Sequence, residues 1–246
     1  MESNTYKIKL QKIKGSWVTY VFMLAAGLLF FNKILALAAV LIGLALMIKY
    51  KKDPYNTSAI YYNFAIKLYG EKDFTKAKQA LATAINYNKE NKDAYFFLGC
   101  ILFDEKDYKN ALTYLKQGGA EEINDPSLVF VLGRCYYHEG NYEKAINLLE
   151  MITYDGLEYL ERERLFALGR SYVEIEEYEK AVVALEKSNI SLEELKGDSL
   201  EYAYYLAVAY FHTENDVKAN EFINRVYETD KYYKFIDVYA KEIGIA

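Results

Sequence analysis

The chain has 246 residues, 52% of them hydrophobic, 26% charged and 16% aromatic, with only 2 Pro and 13 Gly. That length holds one or two domains with a sizeable core, and the composition excludes a disordered or collagen-like chain. Net charge is −5, but residues 1–53 carry +6 and the remainder −11, so the acidic body excludes a nucleic-acid-binding footprint while the basic end suits an anionic membrane face. Two cysteines, Cys100 and Cys135, form neither a disulfide framework nor a CxxC pair.

After a basic segment (1–16), two apolar runs follow, residues 17–31 and 34–48, separated by Asn32 and Lys33. One helix over both would be about 48 Å long against a hydrocarbon core of roughly 30 Å. It would also hold Lys33 near mid-bilayer, at a cost of about 3 kcal/mol. Two short spans turning at Asn32-Lys33 avoid both problems, so a transmembrane hairpin over 17–48 is expected, in contact with lipid. Four Lys precede the first run and three follow the second, while the turn has one. The positive-inside rule then puts both ends, and the body, on the cytoplasmic side of a cell membrane. A cleaved leader, a single crossing and a soluble helical pair are the alternatives. Gly27, Gly43 and the many Ala residues would also permit self-association of the hairpin in lipid.

Beyond a short linker (49–57), one unit recurs: KDFTKAKQAL at 72–81, KDYKNALTYL at 106–115, GNYEKAINLL at 140–149, EEYEKAVVAL at 176–185 and a weaker NDVKANEFI at 215–223. Its Ala falls at Ala77, Ala111, Ala145, Ala181 and Ala219, spaced 34, 34, 36 and 38 residues apart. Twelve positions earlier stands a small residue, at Ala65, Gly99, Gly133, Gly169 and Ala207, each preceded by a large apolar one. Apolar residues at three- and four-residue steps mark amphipathic helices. Asp73, Asp107, Asn141 and Asn215 stand where they would cap each second helix, and Glu177 is a poorer cap. No single pair buries its own apolar face, so the pairs must stack.

This pattern resembles the tetratricopeptide repeat (TPR), a helix–turn–helix unit of 34 residues. The resemblance runs from about residue 58 to 228, with units near 58–91, 92–125, 126–161, 162–199 and 200–228. It implies an all-α fold, a right-handed superhelix of about five helix pairs. A helix over 229–246 is expected to cap the stack. The family's opening Trp is replaced by Tyr61, Tyr95, Val129, Leu165 and Ala203.

No P-loop, GxSxG or HExxH motif occurs, and the two histidines lie 74 residues apart. A non-enzymatic chain without cofactor or metal is therefore expected, its thiols structural. The resemblance places three rows of the first helices on a concave face that takes a protein partner as peptide or helix. From them come Tyr62, Phe96, Phe130, Phe166 and Tyr204, then Arg134 and Arg170, then Tyr69, Phe103, Tyr137 and Phe211. In one reading the rings merely pack between neighbouring helices. In the other they grip a partner's apolar side chains while the two arginines fix a carboxylate. The carboxylate-clamp subtype of the family is not matched, since aromatics stand where its Lys would. The expected protein is a membrane-anchored scaffold. A structural subunit that oligomerises through its hairpin, and an envelope-assembly factor with the repeats outside the cytoplasm, are the rivals. Abundant Lys, Asn, Ile and Tyr with little Pro point to a bacterial, AT-rich source.

Overall fold

The three- and four-residue apolar periodicity is realised as helix almost throughout. A computed structural model of the chain describes residues 8–123, 125–152 and 158–245, and among the described residues there is no strand. The chain divides into two compact units, residues 5–120 and 121–246.

The first unit begins with a helical hairpin, α1 (Val18–Leu28) against α2 (Lys33–Lys51). Asn32 makes the turn: its backbone is extended and its side-chain oxygen accepts the N–H groups of Ile34 and Leu35, at 3.0 and 3.2 Å. Small residues bring the arms together, for Ala25 and Ala36 are buried and a Cβ on Gly43 would stand 2.9 Å from the Phe22 ring. At the other end Trp17 meets Tyr50 edge-on, and Gly15 lies under the same Tyr50 ring with φ +82°. Elsewhere the hairpin's apolar side chains face outward, with only 11% of the α2 window buried. By length and apolarity, α2 is the one described helix able to cross a membrane, whereas the 11 residues of α1 rise about 16 Å.

Two helical pairs complete this unit: α3 (Pro54–Gly70) with α4 (Phe74–Tyr87), and α5 (Lys92–Asp104) with α6 (Tyr108–Gln117). The second unit holds three more, α7 (Pro126–His138) with α8 (Tyr142–Met151), α9 (Glu158–Glu174) with α10 (Tyr178–Ser188), and α11 (Asp198–His212) with α12 (Asp216–Thr229). Within each unit the second helix of one pair also packs on the first helix of the next, α4 on α5, α8 on α9 and α10 on α11.

One local design recurs at every described pair. Asp73, Asp107, Asn141 and Asn215 accept the N–H of Lys76, Asn110, Lys144 and Lys218, whereas Glu177 makes no such bond. The residue just before each cap is left-handed, namely Lys72, Lys106, Gly140, Glu176 and Glu214, with φ between 57° and 75°. Only one of the five is glycine. The small residue of the first helix meets the large residue sixteen positions on: a Cβ on Gly99, Gly133 or Gly169 would approach Leu115, Leu149 or Leu185 to 2.7, 3.0 or 2.5 Å. That contact closes each pair and explains the small residue's periodic recurrence.

Three boundaries differ from the sequence expectation. Asp53 caps α3 and Pro54 occupies its first turn, so the first repeat begins at Pro54 and little linker remains. The expected break at 161/162 falls inside α9. Near the C-terminus the helix is confined to α13 (Ile236–Glu242), because the chain turns through residues 231–235 with Lys234 at φ +49°. Ile236 and Ala240 bury this helix in the core of the second unit.

Candidate functional site

The residues that the sequence assigns to a docking face all lie on first helices, but most are covered. Tyr62, Phe96, Phe130, Phe166 and Tyr204 are each 6% exposed or less, and Tyr137 is buried with them. Tyr69, Phe103, Arg134 and Phe211 are half-buried. The rings pack edge-on against neighbours, Tyr62 and Tyr69 on Phe97, Phe166 on Tyr202, and Phe211 on Tyr239. Edge-to-face pairs of this kind hold one helix pair to the next.

The two arginines have different surroundings. Arg134 faces Glu163 at 3.9 Å and lies over the Phe130 ring. Arg170 is 3% exposed, with its guanidinium sandwiched between Phe166 and Tyr137 and its Nη1 bonded to Glu201 at 2.9 Å. Glu201 also receives Lys234, at 3.0 Å, from the turn before α13. The Lys234 ammonium reaches the Tyr205 hydroxyl as well, and Tyr205 in turn bonds Tyr137 and Glu174. Burial pushes the Glu201 carboxyl upward, but Arg170 and Lys234 overcome it and hold the pKa below the usual carboxylate range. Burial also depresses Lys234 and pushes the Tyr137 phenol up to about 12. In this state the carboxylate of Arg170 comes from within the chain. The sequence reading missed that partner because Glu201 lies one repeat further on and Lys234 beyond the repeats.

A second polar cluster lies in the first unit. Asn56 and Asn63 stand two turns apart on α3, and the side-chain amide of each pairs with the backbone of residues 8–14. Asn63 accepts the Gln11 N–H and donates to the Gln11 carbonyl, at 2.8 and 2.9 Å. Asn56 does the same with Lys14, at 2.7 and 2.8 Å, and also donates to the Tyr50 carbonyl at the end of α2. Asn91, the cap of α5, bonds both Ser58 and the Gln11 side chain. These residues were not singled out from the sequence, where Asn spaced seven apart on one helix face was the available signal.

Neither cysteine looks poised for chemistry. Both are buried and outside any disulfide among the described residues, and burial pushes the Cys135 thiol up to about 12, away from the reactive thiolate. His212 stacks on Tyr178 with centroids 4.2 Å apart, and His138 lies edge-on to Tyr137. Among the described residues no three His, Cys, Asp or Glu side chains gather as metal ligands.

Comparison with known proteins agrees with this architecture. Two tetratricopeptide-repeat family models match, one over residues 62–120 and the other over 102–159. No curated protein sequence matches the chain significantly. Among solved structures, MamA is 19% identical with a TM-score of 0.54, covering 77% of this chain and 97% of its own. YrrB, described as a TPR protein with an unusual peptide-binding site, is 18% identical with a TM-score of 0.55, covering 74% and 90%. PilF of Pseudomonas aeruginosa is 13% identical with a TM-score of 0.52, covering 92% and 97%. At such identities the likeness shows the fold alone. Among the described residues the regular structure is all helical, and residues 62–159 carry tetratricopeptide repeats.

Proposed function

We propose that this chain is a membrane-anchored TPR scaffold, without catalytic activity, that recruits a protein partner through its first helices. The observation that carries the reading is the hairpin: α2 leaves its apolar surface uncovered, while both hairpin ends are tied to the first repeat. Apolar surface on that scale is costly in water and favourable in lipid. Lys on both sides of the hairpin supports a cytoplasmic body. Tyr69, Phe103, Arg134 and Phe211 are the assigned docking residues that retain exposure, and aromatic or Arg anchors of this kind each contribute on the order of 2 kcal/mol to binding. Self-association through the hairpin is less favoured, because Gly43 is already occupied by Phe22, although Gly27 faces open space.

Alkaline-carbonate extraction tests the anchor, with the full chain expected in the membrane pellet and its release refuting insertion. An exposed cysteine, Lys109→Cys, reports topology, because an impermeant thiol reagent should label it only after lysis. Cross-linking in isolated membranes then compares the wild type with Arg134→Glu/Phe211→Ala. An unchanged set of captured proteins would refute the docking assignment.

A further inference from the structure

Residues 8–13 form no helix, and the segment 8–14 is held by its backbone rather than by buried side chains, for Leu10 is 71% exposed. Gln11 and Lys14 each exchange a reciprocal pair of hydrogen bonds with one side-chain amide, that of Asn63 and Asn56 respectively. The spacings agree. Seven residues of helix rise about 10.5 Å, and three residues of extended chain span about 10 Å. Amides seven apart on α3 are therefore a ruler for extended backbone running antiparallel to the helix. The Gln11 side chain is read separately: its Nε2 donates to Asn91 and Asp93 at 2.7 and 3.0 Å, and Asn91 donates back to its Oε1 at 3.1 Å.

We propose that this ruler is an extended-peptide site whose resident occupant is the chain's own residues 8–14, and that it accepts in exchange an extended, glutamine-bearing segment of a partner protein. The proposal deepens the docking role assigned to the first helices and rests on it. The Gln11 contacts select such a ligand: Asn91 and Asp93 hold its side-chain amide, whereas Lys9 and Lys12 of the strap are exposed and residues 54–120 carry no acidic excess, with nine Lys against seven Asp and Glu. Hydrogen bonds that water can replace are individually weak in net terms, so the strap can leave. Its tethering gives it an effective concentration on the order of mM, which a rival must overcome.

The test uses purified full-length protein in detergent and a fluorescein-labelled peptide, KIKLQKIKG, the sequence of residues 7–15. Gln11→Pro removes the strap's amide side chain and its N–H donor, and should bind the peptide about tenfold or more tightly than the wild type. Adding Asn63→Ala should abolish that gain, with circular dichroism confirming helix content in every variant. In the wild type, hydrogen exchange at the Gln11 and Lys14 amides should be slow and should quicken on adding millimolar peptide. Equal affinity in all three proteins, or fast exchange at both amides without peptide, overturns the site. Equal binding of a peptide with Ala in place of Gln overturns the glutamine requirement. None of these measurements involves Arg134, Phe211 or a membrane, so the site and the broader recruiting role can fail independently.

Discussion

Removing Glu201 should destabilise the second unit far more than removing Arg170, although the two form one ion pair. Among the described residues, Glu201 is the only carboxylate bonded to both Arg170, at 2.9 Å, and Lys234, at 3.0 Å. Glu201→Ala leaves a guanidinium that is 3% exposed facing the Lys234 ammonium, on a side chain that is 31% exposed, with no carboxylate between them. Breaking a buried pair in this way costs about 3–5 kcal/mol, and the partial exposure of Glu201 favours the lower end. Arg170→Met instead leaves Glu201 paired with Lys234, fills the arginine stem's volume and removes an Nε that has no partner. Its cost is the lost stacking on Phe166 and Tyr137, about 1 kcal/mol in all. At about 4 °C per kcal/mol for a unit of this size, thermal melts followed by circular dichroism should fall by about 12 °C for Glu201→Ala and about 4 °C for Arg170→Met. Equal shifts, or the reverse order, would refute the account of Glu201 as the hub. Arg170→Met should also leave partner capture intact, since its guanidinium is engaged internally.

Three further outcomes follow from the packing. Gly169→Ala should destabilise by about 1–2 kcal/mol because the new methyl would lie 2.5 Å from Leu185, whereas Gly133→Ala, with 3.0 Å to Leu149, should be near neutral once the helix-propensity gain of Ala is counted; chemical denaturation ranks the two. Lys106→Gly should stabilise by about 1 kcal/mol by relieving a left-handed lysine at φ 64°, seen as a higher melting temperature. Burial raises the phenols of Tyr62, Tyr137, Tyr204 and Tyr205, so the folded chain holds protons that the unfolded chain releases above about pH 10. Stability from these groups is full below that pH and falls as pH rises, so tyrosinate absorbance should lag behind free tyrosine and then rise together with loss of helix.

How much of this was legible in the sequence depends on the range over which each signal acts. Ala77 and its counterparts, the glycines twelve positions earlier and the Asp or Asn caps act within one helical pair, and a 34-residue pulse displays them directly. The left-handed position is equally local, yet Lys and Glu occupy it at four of five turns, so residue type concealed it. Which side of each first helix is covered depends on neighbouring repeats. The aromatic row was visible as a row, but Tyr202, Tyr239 and Phe97, which cover parts of it, belong to other helices. The strap was hidden for a different reason. Its partners Asn56 and Asn63 lie 42 and 52 residues away and recognise backbone, which has no letter in a sequence.

Asn56 also has a mechanical consequence. A single side chain that is 1% exposed grips the chain entering α1, the carbonyl at the end of α2 and the helix that starts the repeats. A tether fastened at one point swivels, whereas a mast stayed on both sides resists tilting. Were the hairpin embedded in lipid, as proposed, thinning or bending of the bilayer would reach α3 as torque instead of vanishing into slack, and loosening that one amide would turn the mast back into a leash.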